Sequence, residues 1–79
     1  MTKKEIQATK DALKAAMMSG PTKFEYVKRD GSLSGKRVGI YKEYENTGGR
    51  PVPEGNLLYW DITDPKKAGF RQVVIENLV

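Results

Sequence analysis

The spacing of apolar residues changes once along this chain, at Pro21, and the change divides it into a helix and a set of strands. Before the proline, Ile6, Leu13 and Met17 recur at helical intervals, with Thr9 and Ala16 filling smaller positions on one edge of the stripe. Thr2 and Glu5 have the spacing of a capping box, in which the hydroxyl accepts from the third helical N–H and the carboxylate reaches back. Gly20 and Pro21 mark the stop, because glycine tolerates a left-handed C-terminal position and proline cannot continue the ladder. The pattern predicts a helix over 2–19 with one narrow packing face.

After Pro21 the period becomes two. The stretch "FEYVKRDGSLSGKRVGIY" reads as a hairpin around Asp30 and Gly31. A two-residue turn would set Phe24 against Arg37 and Tyr26 against Gly35. A three-residue loop with Gly31 in the left-handed bulge position instead pairs Phe24 with Lys36 and Tyr26 with Ser34. That register places Phe24, Tyr26, Val38 and Ile40 on one face, and it is the one the apolar pattern favours. Residues 42–56 form a long glycine- and proline-rich connection, a length usual for functional or disordered loops. "LLYWDIT" then reads as a strand, "DPKKAG" as a turn and "FRQVVIENLV" as a last strand with a short closing turn. Leu58, Trp60 and Ile62 share one parity, and Val73 and Ile75 another, so each strand has an apolar face for a core in which Phe24, Tyr26 and Trp60 are expected.

With 79 residues, this is one small domain, 1–79, able to hide only roughly 60% of its unfolded surface. Cysteine and histidine are both absent, which excludes disulfides, thiolate nucleophiles, imidazole bases and nearly all structural zinc sites. No metal or cofactor is expected. No apolar run approaches the roughly 20 residues of a membrane span, and the lysine-rich start lacks a signal peptide's apolar core, so a cytoplasmic location is expected. The net charge of +4 is concentrated in the first half: residues 22–42 carry six basic groups against Glu25 and Asp30. Such a distribution suits a polyanion and suits solubility equally.

The glycines and basic residues of "GSLSGKR" do not form a phosphate loop. Gly31 to Gly35 is one residue short of the Walker spacing, Arg37 stands where a hydroxyl is required, and a strand follows where a helix N-terminus should receive the anion. Catalysis would have to rest on carboxylates, lysine or tyrosine. Glu43 with Glu45, which share a parity, and Asp61 with Asp64 all lie in or beside turns, and Asp61 and Asp64 read as turn formers, so the chain is expected not to be an enzyme.

Three segments, "FEYVKRDGS", "YWDIT" and "GFRQVVIENL", resemble a family of small Sm-like or SH3-like β-barrels related to WYL domains and often encoded by phages and bacteria. The resemblance runs from Phe24 to Leu78. It implies a mainly β, α+β fold: an N-terminal helix followed by a small antiparallel barrel of about four to five strands over 22–79. Arg71 matches the arginine of that family's closing strand and Tyr59-Trp60 falls near its aromatic pair, whereas Val73 stands where the family often has an aromatic residue. The implied function is a binding or regulatory module, phage-encoded and acting in the host cytoplasm as an inhibitor or modulator of a protein complex.

Two kinds of partner fit these residues. A protein partner suits a small chain with a long loop and basic residues interleaved with acids. The alternative is a nucleic acid, bound by the basic hairpin and by stacking on aromatic side chains. The candidate binding residues for either are Lys28, Arg29, Lys36, Arg37, Lys42, Tyr44, Arg50, Tyr59 and Arg71, with Tyr41 a further stacking candidate. A short exposed strand could pair with a second copy, so the expected state is a monomer or a weak homodimer.

Overall fold

A computed structural model of the chain describes residues 1–44, 49 and 51–79. Helix α1 spans Lys3–Ser19, followed by strands β1 (Thr22–Phe24), β2 (Arg37–Ile40), β3 (Asn56–Asp61) and β4 (Gly69–Val74), with 3-10 turns at Pro65–Lys67 and Ile75–Asn77. The strands form one antiparallel sheet in the order β1-β2-β3-β4, and α1 packs across one of its faces. The sheet is open. The chain's last residues reach the hairpin instead, through a bridge between Tyr26 and Leu78.

The helix starts as its sequence predicts. Thr2 Oγ1 accepts from Glu5 N–H at 3.2 Å, and the Glu5 carboxylate accepts from Thr2 N–H at 3.4 Å. Gly20 ends it with φ 156° and ψ −175°, a glycine-only region distinct from the left-handed cap expected. Met17 is buried, Ile6 and Leu13 pack beside it, and Ala16 faces water, so the packing stripe is narrower than the sequence suggested.

The hairpin combines both registers. At its tip Lys28 N–H donates to Ser32 O, Gly31 N–H donates to Lys28 O with Gly31 at φ 86°, Val27 bridges Leu33, and Ser34 N–H donates to Tyr26 O. This is the three-residue loop. Below it, Phe24 pairs with Arg37 and Thr22 with Gly39, one residue out of step with the tip. Gly35, at φ 72°, and Lys36 therefore oppose Glu25 alone, a bulge that a left-handed glycine accommodates. The slip turns Val38 and Ile40 away from Phe24 and sends Gly39 into the core, which corrects the expected grouping.

β3 is likewise the reverse of its expected parity. Leu57, Tyr59 and Asp61 are buried toward the helix, whereas Leu58 and Trp60 lie on the outer face. Tyr59, Met17, Val73, Ile75 and Leu57 make the core, with Phe24, Tyr26 and Tyr41 against it. Both faces of "LLYWD" are apolar, so alternation alone could not choose between them; space at Gly39 did. A Cβ built on Gly39 would sit 2.5 Å from Tyr59 Cδ2 and 3.1 Å from Met17 Cε, so only glycine lets that ring pack this close to β2. Gly39→Ala is expected to destabilise the fold by about 1–3 kcal/mol, read as a lower thermal unfolding midpoint. Gly55→Ala, with open space around the added methyl, is the control.

Candidate binding face

Two clusters of functional side chains emerge, one inside the sheet and one on its outer face. The inner one centres on Asp61, whose buried carboxylate accepts from Tyr59 Oη at 2.8 Å, Arg37 Nε at 3.1 Å, Arg37 Nη2 at 3.0 Å and Thr63 N–H at 2.9 Å. Thr63 Oγ1 in turn accepts from Val38 N–H at 2.8 Å. Burial alone would raise the Asp61 pKa, but the hydrogen bonds from Thr63, Tyr59 and Arg37 outweigh it and hold the carboxyl below its usual value. For Tyr59, burial and the bond to Asp61 both push the phenol well above its ordinary range. Every oxygen of this cluster faces a partner within the fold, which ties β2, β3 and the turn after β3 together. Asp64 has the turn-forming role expected of it, its Oδ1 accepting from Lys66 N–H at 3.0 Å.

The outer cluster is built by strand register. Ile40 pairs with Trp60 and Trp60 with Phe70, so three strands contribute one row across the face opposite the helix. The Trp60 and Phe70 rings meet edge to face at 5.0 Å and 87°, and Tyr44 meets Phe70 at 5.0 Å and 70°. Lys42 Nζ lies 4.0 Å from the centre of the Trp60 ring. Tyr44 remains 52% exposed, which makes this face an apolar and aromatic surface with a cation at its margin.

The candidate residues thus separate. Lys42 and Tyr44 belong to the outer cluster, while Lys28 and Arg29 are exposed at the hairpin tip and Lys36 is exposed at the bulge. Arg71 is exposed on β4, opposite Tyr59 in the ladder. Arg50 lies outside the described residues. Two candidates are corrected. Tyr59 is 1% exposed and structural, and Arg37 is committed to Asp61, because a buried carboxylate needs a cation. Tyr41 also packs against the core, with Lys14 Nζ 4.9 Å from its ring centre.

Trp60, read from sequence as core, and Phe70 are the additions. The signal was present in the cross-strand spacing of "YWDIT" and "GFRQ", but only the β3 parity reveals it. A concavity of about 610 Å³ lies elsewhere, between the first turns of α1 and Glu54, Gly55 and Glu76; its lysines face two carboxylates, and Lys10 Nζ donates to Glu54 O at 3.2 Å. Among the described residues no group of acidic side chains is arranged to hold a metal, and no helix is long and apolar enough to cross a membrane. Compared with family models, curated proteins and solved structures, the chain matches none.

Asp61→Ala is expected to cost about 3 kcal/mol, the low end for breaking a buried pair, because Arg37 keeps 21% of its side-chain surface in water. Tyr59→Phe should cost about 1.5–3 kcal/mol through one lost bond to a charged acceptor. A depressed folded pKa stabilises above the ordinary carboxylate value and is lost as pH falls through the folded one. The stability of the native chain, read from denaturant unfolding, should therefore fall below about pH 4, and Asp61→Asn should flatten that slope.

Proposed function

We propose that this protein is a non-catalytic binding module that docks a protein partner on the outer face of its sheet, in the manner of a small SH3-like domain acting as a regulator or inhibitor in the cytoplasm. The observation that carries the reading is the Lys42, Trp60, Phe70 and Tyr44 cluster on the face opposite the helix. Tryptophan and tyrosine dominate the energetic centres of protein interfaces, where an apolar patch is ringed by polar groups.

Geometry favours protein over nucleic acid. A base-stacking platform needs an open aromatic face, and one face of Trp60 is covered by the Lys42 ammonium while the other rings meet edge to face. Arg37, which would anchor a basic stripe running from the hairpin, is neutralised by Asp61. The tip cations Lys28 and Arg29 then stand apart from the aromatic residues as a steering charge.

Two measurements test this. Labelled single-stranded and duplex oligonucleotides, titrated by fluorescence polarisation at about 50 mM salt, are expected to show no binding. A defined protein captured by the immobilised chain should stay bound at about 0.5 M salt and be lost with Tyr44→Ala and Lys42→Glu, two exposed positions whose change leaves the core intact. Micromolar oligonucleotide binding that collapses with salt and disappears in the Lys28→Glu, Arg29→Glu double variant would replace this reading with the nucleic-acid one.

A further inference from the structure

The two edges of the sheet are finished differently. Beyond β1, the backbone of residues 25–27 is taken up by the end of the chain: Val27 N–H donates to Asn77 O at 2.9 Å and Val79 N–H to Glu25 O at 3.1 Å. β4 has β3 on one side and, among the described residues, no strand on the other.

The ladder decides which β4 groups are open. Ile62 N–H donates to Val38 O, continuing the register in which Ile40 pairs with Trp60, so even residues of β3 bond toward β2 and odd residues toward β4. Ile75 N–H donates to Gly55 O, continuing the register that pairs Val73 with Leu57. Arg71 and Val73 therefore bond inward. Phe70, Gln72 and Val74 aim their N–H and C=O groups out of the sheet, and nothing among the described residues meets them. Natural edges are usually blunted by proline, bulges or charge. β4 contains no proline, pairs without interruption from Gly69 to Val74, and has a single charge, on the inward-bonded Arg71.

We propose that a second copy of this chain adds to β4, antiparallel, about a twofold axis at Gln72. Side chains choose that axis. With Gln72 facing its own copy, Phe70 lies opposite Val74 of the second copy and all three outward residues are used, up to about six backbone hydrogen bonds at two per pair. An axis at Arg71 would set two guanidinium groups face to face and leave Val74 beyond the partner strand; an axis at Val73 would strand Phe70 opposite Glu76. Val74, 40% exposed in the single chain, gains an aromatic cross-strand neighbour. Gln72 Oε1 accepts from Asn56 Nδ2 at 3.1 Å, which leaves the Gln72 amide N–H groups as donors to the second copy. The two outer faces become one continuous surface with an aromatic cluster on each half. The proposal stands on backbone parity and is independent of what the outer face binds.

Sedimentation from about 10 µM to about 1 mM should show the mass rising from 8.9 kDa toward twice that value. Over the same range, amide exchange at Phe70, Gln72 and Val74 should slow several-fold while Arg71 and Val73 stay unchanged. Gln72→Pro removes an N–H that has no partner among the described residues, so the variant should fold yet remain at the single-chain mass. Val74→Lys, at an exposed position, should weaken association at least tenfold. A native chain that stays at 8.9 kDa throughout, or one whose association survives both substitutions, overturns the proposal.

Discussion

A carboxylate in the middle of a small apolar core is expensive, and the arrangement that compensates Asp61 fixes most of what surrounds it. Removing the charge from water costs several kcal/mol unless partners replace the lost hydration. Here the partners come from Tyr59 on the same strand, Arg37 on the neighbouring strand and the Thr63 turn that follows. To bring Arg37 to Asp61, β2 must present its odd residues to the core, which is why Gly39 and not Val38 or Ile40 lies beneath the helix. The bulge at Gly35 reconciles this demand with the tip register set by Gly31.

The outer face follows from that same choice. Once Tyr59 and Asp61 point inward, strand alternation obliges Leu58 and Trp60 to point outward, and cross-strand pairing sets Ile40 and Phe70 on either side of Trp60. The chain lacks a second layer on that side of the sheet among the described residues, so its helix can cover only one of two apolar faces. A small domain that leaves an aromatic row uncovered has surface suited to recognition. The charges support the same division: Arg37 is consumed internally, whereas Lys28, Arg29 and Lys36 stay exposed on the hairpin and Lys42 sits at the margin of the aromatic row.

The chain's ends and edges show a second asymmetry. The last residues close off the backbone beside β1, with Leu78 bridging Tyr26, so the terminal Asn-Leu segment protects an edge that would otherwise attract a strand. Among the described residues β4 has no such cover, and its outward backbone groups belong to the residues whose side chains extend the outer face. Edge and face are thus two aspects of one surface.

Local chemistry was legible in the sequence because it depends on neighbours a few residues away. Thr2 with Glu5 determined the helix start, Gly31 determined the three-residue loop, and Asp64 determined the cap of the Pro65–Lys67 turn. The order and approximate bounds of the elements, and the burial of Val73 and Ile75, were likewise determined by spacing. The inward face of β2 and β3 was not, since "LLYWD" and "RVGIY" are apolar at both parities and local energies are nearly balanced. Only tertiary structure decided it, through a contact between residues 24 apart, where one buried acid required one arginine and one glycine opposite one tyrosine ring.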